Sequence, residues 1–394
     1  MNILFLYRVF PEYGGVEVVT TVLANRFVTD GHHVTIASFE QPHLELADKL
    51  SSGIELVKLD YPVYSCANIS KLRKELLNRK IDIIINQWGL PFKTTMLCNS
   101  AIKGTKCKLI SVLHGSPYTS KLIIKAQDKC KLSNNIFSKA KNRLALYLKE
   151  HIVKWSIRYN VKHNARYILL SNSFIEPLVN YAEIKDTSKI EAIGNPITID
   201  VNLDNFSFSN KKKQVLYVGR MDYENKRVNR IIESWEEVSK EFVDWELVLV
   251  GDGPHKSLLQ NYIKEHKIER VRFEGFKKEP PIKYYKEAKI FMLTSDLEGF
   301  GLVIVESMAY GVVPIVYGSY EAVYDIIDDE KNGFITPRPY NKNITIQKMK
   351  KLMADDSICL EMGKNAMEKS KQFSVEAVIS KWYIIMNAVI SEEA

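Results

Sequence analysis

Two glutamates with seven residues between them, Glu298 and Glu306, stand in the run SDLEGFGLVIVESMAYG from Ser295 to Gly311. The apolar run IFMLTS ends at Ser295, a loop carries Glu298, Gly299, Phe300 and Gly301, and a helix is expected from near Leu302 to Gly311. A glycine-rich loop that enters a helix exposes free backbone N–H groups to an anion, with the helix dipole in support, and a diphosphate suits that place. About one turn into the otherwise mostly apolar helix sits its only charge, Glu306, on nearly the same face as Leu302 and Val303. A lone carboxylate in a buried helix is costly unless partnered, and two neighbouring sugar hydroxyls would partner it well.

Other residues point the same way. Gly219 and Arg220 follow a strand in GRMDYENK, and Lys226 comes six residues later. Arginine offers a planar fork for phosphate oxygens and lysine a point charge, so the two together can neutralise a leaving diphosphate. Gly14 and Gly15 lie between the first strand and the first helix, His114 follows an apolar strand in LHGSP, and Gly275, Phe276 and Lys277 follow another. Position at the C-terminal end of a sheet strand favours a functional role for His114.

With a strand before them and a glycine loop between, Glu298 and Glu306 resemble the E-x7-E signature of retaining GT-B glycosyltransferases, the glycogen-synthase-like and bacterial surface-polysaccharide group. The likeness extends over nearly the whole chain. It implies a GT-B fold, in which two Rossmann-like doubly wound parallel-sheet α/β domains face each other across a cleft. It also implies roles. Glu298 would lie by the donor sugar and Glu306 would bind the nucleotide ribose. Arg220 and Lys226 would act on the diphosphate, with Gly219 and the loop from Gly299 to Leu302 around it. Gly14 and Gly15 would let the backbone approach donor phosphate and acceptor, His114 would face the transferred sugar, and Phe276 and Lys277 would hold the base, mainly through backbone atoms. The implied substrates are a nucleotide sugar, UDP-sugar being the commoner donor, and a glycan or lipid-linked acceptor. The implied chemistry is front-face substitution with retention, needing no metal and no other cofactor.

The elements that must position these residues can be read from pattern. Asn2 to Tyr7, Val34 to Ser38, Ile81 to Asn86, Lys108 to Leu113 and Tyr167 to Ser171 are mostly apolar runs, and an amphipathic stretch from Val16 to Thr29 closes at Gly31. From Gly194 to Lys213 periodicity is lost, and a linker is expected there. The pattern restarts with Gln214 to Gly219, Glu246 to Gly251, Val271 to Gly275, Ile290 to Ser295 and Val312 to Tyr317, with helices near Val228 to Glu241 and Lys256 to His266. Strands alternating with helices over both halves read as two doubly wound domains. The expected division is an acceptor-binding domain over residues 1–200, a nucleotide-sugar domain over 212–374, and a helix over about 375–394 that packs back on the first.

At 394 residues and 46% hydrophobic content the chain has material for two cores. No apolar run approaches the roughly 18 to 20 residues of a membrane span, and five scattered cysteines without metal-ligand spacing read as reduced cytosolic thiols. The net charge is +8, yet between Lys121 and Arg166 twelve Lys/Arg face only Asp128 and Glu150. Leu144, Leu148, Ile152 and Trp155 are among the apolar residues interleaved there, so amphipathic helices with a cationic face are expected, suited to anionic lipid or a lipid-linked diphosphate. A cytoplasmic protein peripheral to the inner face of a cell membrane follows. Nucleic acid is not an expected partner, since no binding motif or stacking platform is present.

Three rival readings remain. A nicotinamide-dependent dehydrogenase shares the opening strand, glycines and helix, but Gly14-Gly15 lacks the GxGxxG spacing. A sugar-nucleotide epimerase shares the two-half architecture. A non-catalytic binding subunit would keep the fold without the chemistry.

Overall fold

The computed structural model describes residues 1–116, 118, 121–133, 135–204 and 206–392, without the side chains of Lys121 and Leu122. Of the expectations above, those two side chains and the end of the 375–394 helix therefore lie outside the described residues. The chain divides into two compact units, Met1–Pro196 with Val375–Ala394, and Ile197–Ser374.

The first unit is built on seven strands, β1 (Asn2–Val9), β2 (His33–Glu40), β3 (Glu55–Lys58), β4 (Ile83–Asn86), β5 (Lys108–Leu113), β6 (Arg166–Leu169) and β7 (Ile190–Ala192). They pair in parallel in the order 3-2-1-4-5-6-7. Its helices are α1 (Gly15–Thr29), α2 (Cys66–Asn78), α3 (Phe92–Ile102), α4 (Lys121–Lys131), α5 (Ile136–His163) and α6 (Ile175–Ala182). Ile83, Ile84 and Ile85 are all fully buried, as an unbroken apolar run must be when helices cover both faces of a sheet. β3 and β7 are short strands flanked by charged residues, which is why periodicity alone did not reveal them.

The second unit repeats the plan with β8 (Lys212–Val218), β9 (Glu246–Val250), β10 (Val271–Gly275), β11 (Ala288–Leu293), β12 (Val313–Tyr317) and β13 (Phe334–Thr336), parallel in the order 10-9-8-11-12-13. Its helices are α7 (Val228–Val238), α8 (Lys256–Glu265), α9 (Ile282–Glu287), α10 (Leu302–Ala309), α11 (Val323–Ile326), α12 (Lys342–Ala354) and α13 (Asp356–Ser370). In each sheet the strand order reverses beside the first strand, between β1 and β4 and between β8 and β11. The loops leaving those strands flank the crevice where such folds bind ligands.

The segment expected as a linker is mostly the beginning of the second unit. Ile197 donates its N–H to the Phe373 carbonyl at 2.7 Å. Phe208 lies against Gly311, where an added Cβ would stand 2.5 Å from its ring. Lys211 is buried, its ammonium donating to the carbonyls of Tyr285 at 3.2 Å and Ala288 at 2.6 Å, and burial lowers its pKa to about 7. The stretch holds its place through isolated anchors, which leave no periodic trace.

The last helix, α14 (Val375–Ser391), belongs to the first unit. Arg26 reaches Glu376 at 2.8 Å, Tyr383 donates to Asp30 at 2.6 Å, and Arg166 pairs with Glu392. By length and composition alone, the helical stretch Asp356–Ser391 is long and apolar enough to cross a membrane, which the reading of the sequence did not pick out. Val378, Ile379, Trp382, Ile385, Met386 and Val389 of that stretch are buried, so much of its apolar character belongs to a packed helix face. We expect Trp382→Ala to destabilise the first unit by about 3–5 kcal/mol. Ile384→Ala, at a position 70% exposed, should stay within about 0.5 kcal/mol. Chemical denaturation followed by circular dichroism checks both.

Candidate active site

The loops leaving β8 and β11 are stitched together. The Asp296 N–H donates to the Asn225 carbonyl at 2.8 Å and the Leu297 N–H to Asn225 Oδ1 at 2.9 Å. Asp222 Oδ1 accepts from the N–H groups of Asn225 and Lys226 at 2.8 and 2.7 Å, which shapes the β8 loop from within. Asp296 is held by Arg227 at 2.5 Å and Arg230 at 2.6 Å, and the Arg230 guanidinium lies against the rings of both Tyr317 and Tyr340, at 5.1 and 4.6 Å from their centroids. On this frame the Lys226 ammonium meets Glu298 Oε1 at 2.5 Å. Asn225, Arg227, Arg230 and Asp296 were not singled out in the sequence; their one signal was that they flank residues that were.

The other residues of the second unit take distinct positions. Arg220 is exposed, with Nε 3.8 Å from Asp222 Oδ2, so its fork is available to a ligand. Phe300 is turned into the core against Phe373, at 5.5 Å between ring centroids, so its side chain packs and only its backbone contributes to the loop. Gly301 adopts a left-handed backbone, φ 92°, as the N-cap of α10, and no side chain caps that helix. The N–H groups of Leu302 and Val303 therefore have neither an intrahelical acceptor nor a capping side chain, while that of Ile304 donates to the Gly301 carbonyl at 2.9 Å. Gly219 follows β8 with φ 153°, Phe276 is exposed after β10, and Lys277 Nζ stands 3.7 Å from Glu274 Oε2.

Glu306 is 6% exposed. Thr198 donates to its Oε1 at 2.5 Å and Tyr285 to its Oε2 at 3.0 Å. The partners that the sequence reading sought in a sugar are thus supplied first by the protein. Burial raises the Glu306 pKa, and the two hydroxyl donors only partly offset it. A carboxylate offers about four acceptor positions, so it can still take further donors.

In the first unit, Gly14 is the N-cap of α1, which Gly15 opens, and the buried Glu17 carboxylate folds over it; a Cβ on Gly14 would lie 2.2 Å from Glu17 Oε2. Glu17 also escaped the sequence reading, although an acid in a helix's first turn is its signal. His114 follows β5, hydrogen-bonded through Nε2 to Oε1 of Gln87, the residue after β4. Burial lowers the His114 pKa to about 3, so the imidazole is neutral at ordinary pH. As an amide oxygen can only accept, Nε2 carries the proton and Nδ1 is left as an acceptor.

The two buried groups tilt stability in opposite directions. Between about 3 and the ordinary 6.5 the unfolded chain binds a proton on His114 that the folded chain refuses, so its contribution to stability rises with pH across that window. His114→Gln should flatten the acid limb of a stability–pH curve. Above 4.5 the folded chain keeps a proton on Glu306 that the unfolded chain has lost, so stability falls as pH climbs toward the raised value. Glu306→Gln should remove that fall, while Glu306→Ala strands the Thr198 and Tyr285 hydroxyls at about 1–3 kcal/mol each. Urea denaturation from pH 4 to 8 reads both effects.

Known proteins give this arrangement its context. Residues 13–201 match the model of glycosyltransferase family 4, and residues 200–369 that of glycosyl transferases group 1. N-acetyl-alpha-D-glucosaminyl L-malate synthase of Bacillus anthracis is 22% identical over 98% of this chain and 96% of its own. An alpha-1,4-N-acetyl-D-galactosaminyltransferase of Campylobacter jejuni, named for a GalNAc- and diNAcBac-bearing PP-undecaprenol, is 24% identical over 94% of each chain. Two other curated relatives match about half of this chain, which spans 56% and 54% of their lengths. Among solved structures, HepE of Anabaena in complex with UDP shares the fold, with a TM-score of 0.75 and 18% identity over 98% of this chain and all of that one. The fold is GT-B, and the chain belongs to the group 1, family 4-like glycosyltransferases.

Proposed function

We propose that this chain moves a sugar from a UDP-sugar to a glycan or lipid-linked acceptor in surface-polysaccharide or glycolipid synthesis, with retention at the anomeric carbon and without a metal ion. The observation that carries the donor side is the meeting of Lys226 and Glu298 beside the uncapped loop that opens α10, with Arg220 exposed nearby in the chain and Glu306 buried one turn into the helix.

In this reading the ribose hydroxyls donate to the acceptor positions of Glu306 that Thr198 and Tyr285 leave free. The first N–H groups of α10, Arg220 and Lys226 take the diphosphate, and Glu298 lies by the donor sugar. As the bond to the anomeric carbon lengthens, charge grows on the departing phosphate oxygen and an oxocarbenium-like sugar forms. The acceptor hydroxyl attacks from the same face, and the leaving phosphate takes its proton. Binding a diphosphate draws Lys226 toward two acceptors, Glu298 and phosphate, so its charge is already placed before the bond breaks. In the first unit, neutral His114 can hydrogen-bond a substrate but not titrate near neutrality.

The acceptor class rests on a second observation. Ile136 and Phe137 at the start of α5 are 83% and 85% exposed, and Leu144, Tyr147, Leu148 and Ile152 are also exposed among Lys139, Lys141, Arg143 and Lys149. The buried residues of α5 begin only at Val153. An apolar and cationic surface of this kind suits the anionic face of a membrane, where a lipid-linked acceptor resides.

Purified protein in EDTA, screened against UDP-, GDP- and ADP-sugars, should be stabilised against heat by the UDP series and release UDP when an acceptor is supplied. Lys226→Ala should lower kcat by about a hundred- to a thousandfold, and NMR of the product should show the donor's anomeric configuration. Stabilisation by NAD alone, or activity only after metal is restored, would sink the reading. Co-sedimentation with vesicles should need anionic lipid and should fail for Lys139→Glu/Lys141→Glu/Arg143→Glu.

A further inference from the structure

Tyr320 follows β12 in the loop that leads to α11, and the ring is 1% exposed. Its hydroxyl has no hydrogen-bond partner among the described residues. A buried donor left unpaired is destabilising, and native structures keep few of them, so an unpaired one calls for an explanation. Phenylalanine would fill the same space at that position without the stranded hydroxyl. Packing therefore accounts for the ring but not for the oxygen.

The oxygen points at the start of α10. A Cβ built on Gly301 would stand 2.7 Å from Tyr320 Oη, so the hydroxyl lies against the left-handed N-cap of that helix. The α10 N–H groups are uncapped by any side chain there. The loop is also held in place: Ser319 donates to the Ser295 carbonyl at 2.6 Å, tying the residue beside Tyr320 to the one that opens the loop carrying Glu298. Burial first, and the nearby Glu298 charge second, hold the phenol protonated throughout the working pH range, so it stays a donor. The group is thus a fixed O–H beside the uncapped start of α10, and among the described residues no acceptor takes its proton.

We propose that the Tyr320 hydroxyl is a donor-substrate ligand: it hydrogen-bonds an acceptor oxygen of the nucleotide sugar, on phosphate or sugar, that comes to rest over the first residues of α10. The inference rests on the donor-site reading above and adds a residue to it from a third loop. Together, the loops after β8, β11 and β12 then supply a cation, backbone N–H groups and a neutral O–H to one ligand. Gly301 is required by the same geometry, because any side chain there would displace the hydroxyl.

Tyr320→Phe removes the oxygen alone. Titration calorimetry with UDP, and with the UDP-sugar that stabilises the parent protein, is compared with the melting temperature of each unliganded protein. The variant should melt at or above the parent temperature. If the acceptor oxygen is on phosphate, affinity should drop roughly tenfold or more for both ligands; if on the sugar, by about two- to tenfold for UDP-sugar alone. A lower melting temperature with both affinities unchanged would overturn the proposal, because the hydroxyl would then have a partner within the fold. Unchanged melting with unchanged affinities would overturn it as well. If the parent protein itself binds no nucleotide sugar, the donor-site reading fails, and this inference with it.

Discussion

A carboxylate inside an apolar helix is the constraint around which the second unit is arranged. Ile304, Val305, Ser307 and Met308 of α10 are buried with Glu306 among them. Such a group is tolerated only if donors converge on it. Here they come from two places far apart in sequence, Thr198 on the segment that enters the unit and Tyr285 on α9. Lys211 in turn fixes the Tyr285 and Ala288 carbonyls where α9 ends. Holding Glu306 sets the position of α10 about its own axis, and with it the direction in which the free N–H groups of its first turn point.

The charges around that helix start differ in how far the protein itself pairs them. Arg227 and Arg230 are committed to Asp296, and their role is to brace one loop against the other. Lys226 is committed to Glu298 but remains partly exposed, and Arg220 is exposed with only a long contact to Asp222. The Asp296 pairs tie one loop to the other, and of these four cations Arg220 is the least engaged by the protein. A point charge and a planar fork are complementary ways to meet a diphosphate.

The first unit divides its labour differently. Its sheet and α14 form a closed apolar body, with Trp382 and Val389 filling the space that the first unit offers. The opening turns of α5 depart from this rule by presenting large apolar side chains to solvent between lysines. Burial of neutral His114 against Gln87 shows a third pattern, a polar pair kept at the crevice end of β4 and β5 with its ionisation suppressed.

Much was legible from local pattern alone. Long apolar strands, the glycine loop before Leu302 and the spacing of Glu298 and Glu306 carry their meaning within a few residues, because strand burial and helix starts are local consequences of side-chain alternation and backbone hydrogen bonding. The short strands β3 and β7 were not legible, nor was the anchoring of Lys211, since a few charged residues around a short pairing erase its period. What only the tertiary structure decided is who partners whom. Thr198 and Glu306 are 108 residues apart, Arg227 and Asp296 are 69 apart, and Tyr320 reaches Gly301 across two elements. Hydrogen-bond donors, acceptors and charges act over a few ångströms of space, and their distance along the chain leaves no mark on which of them will meet.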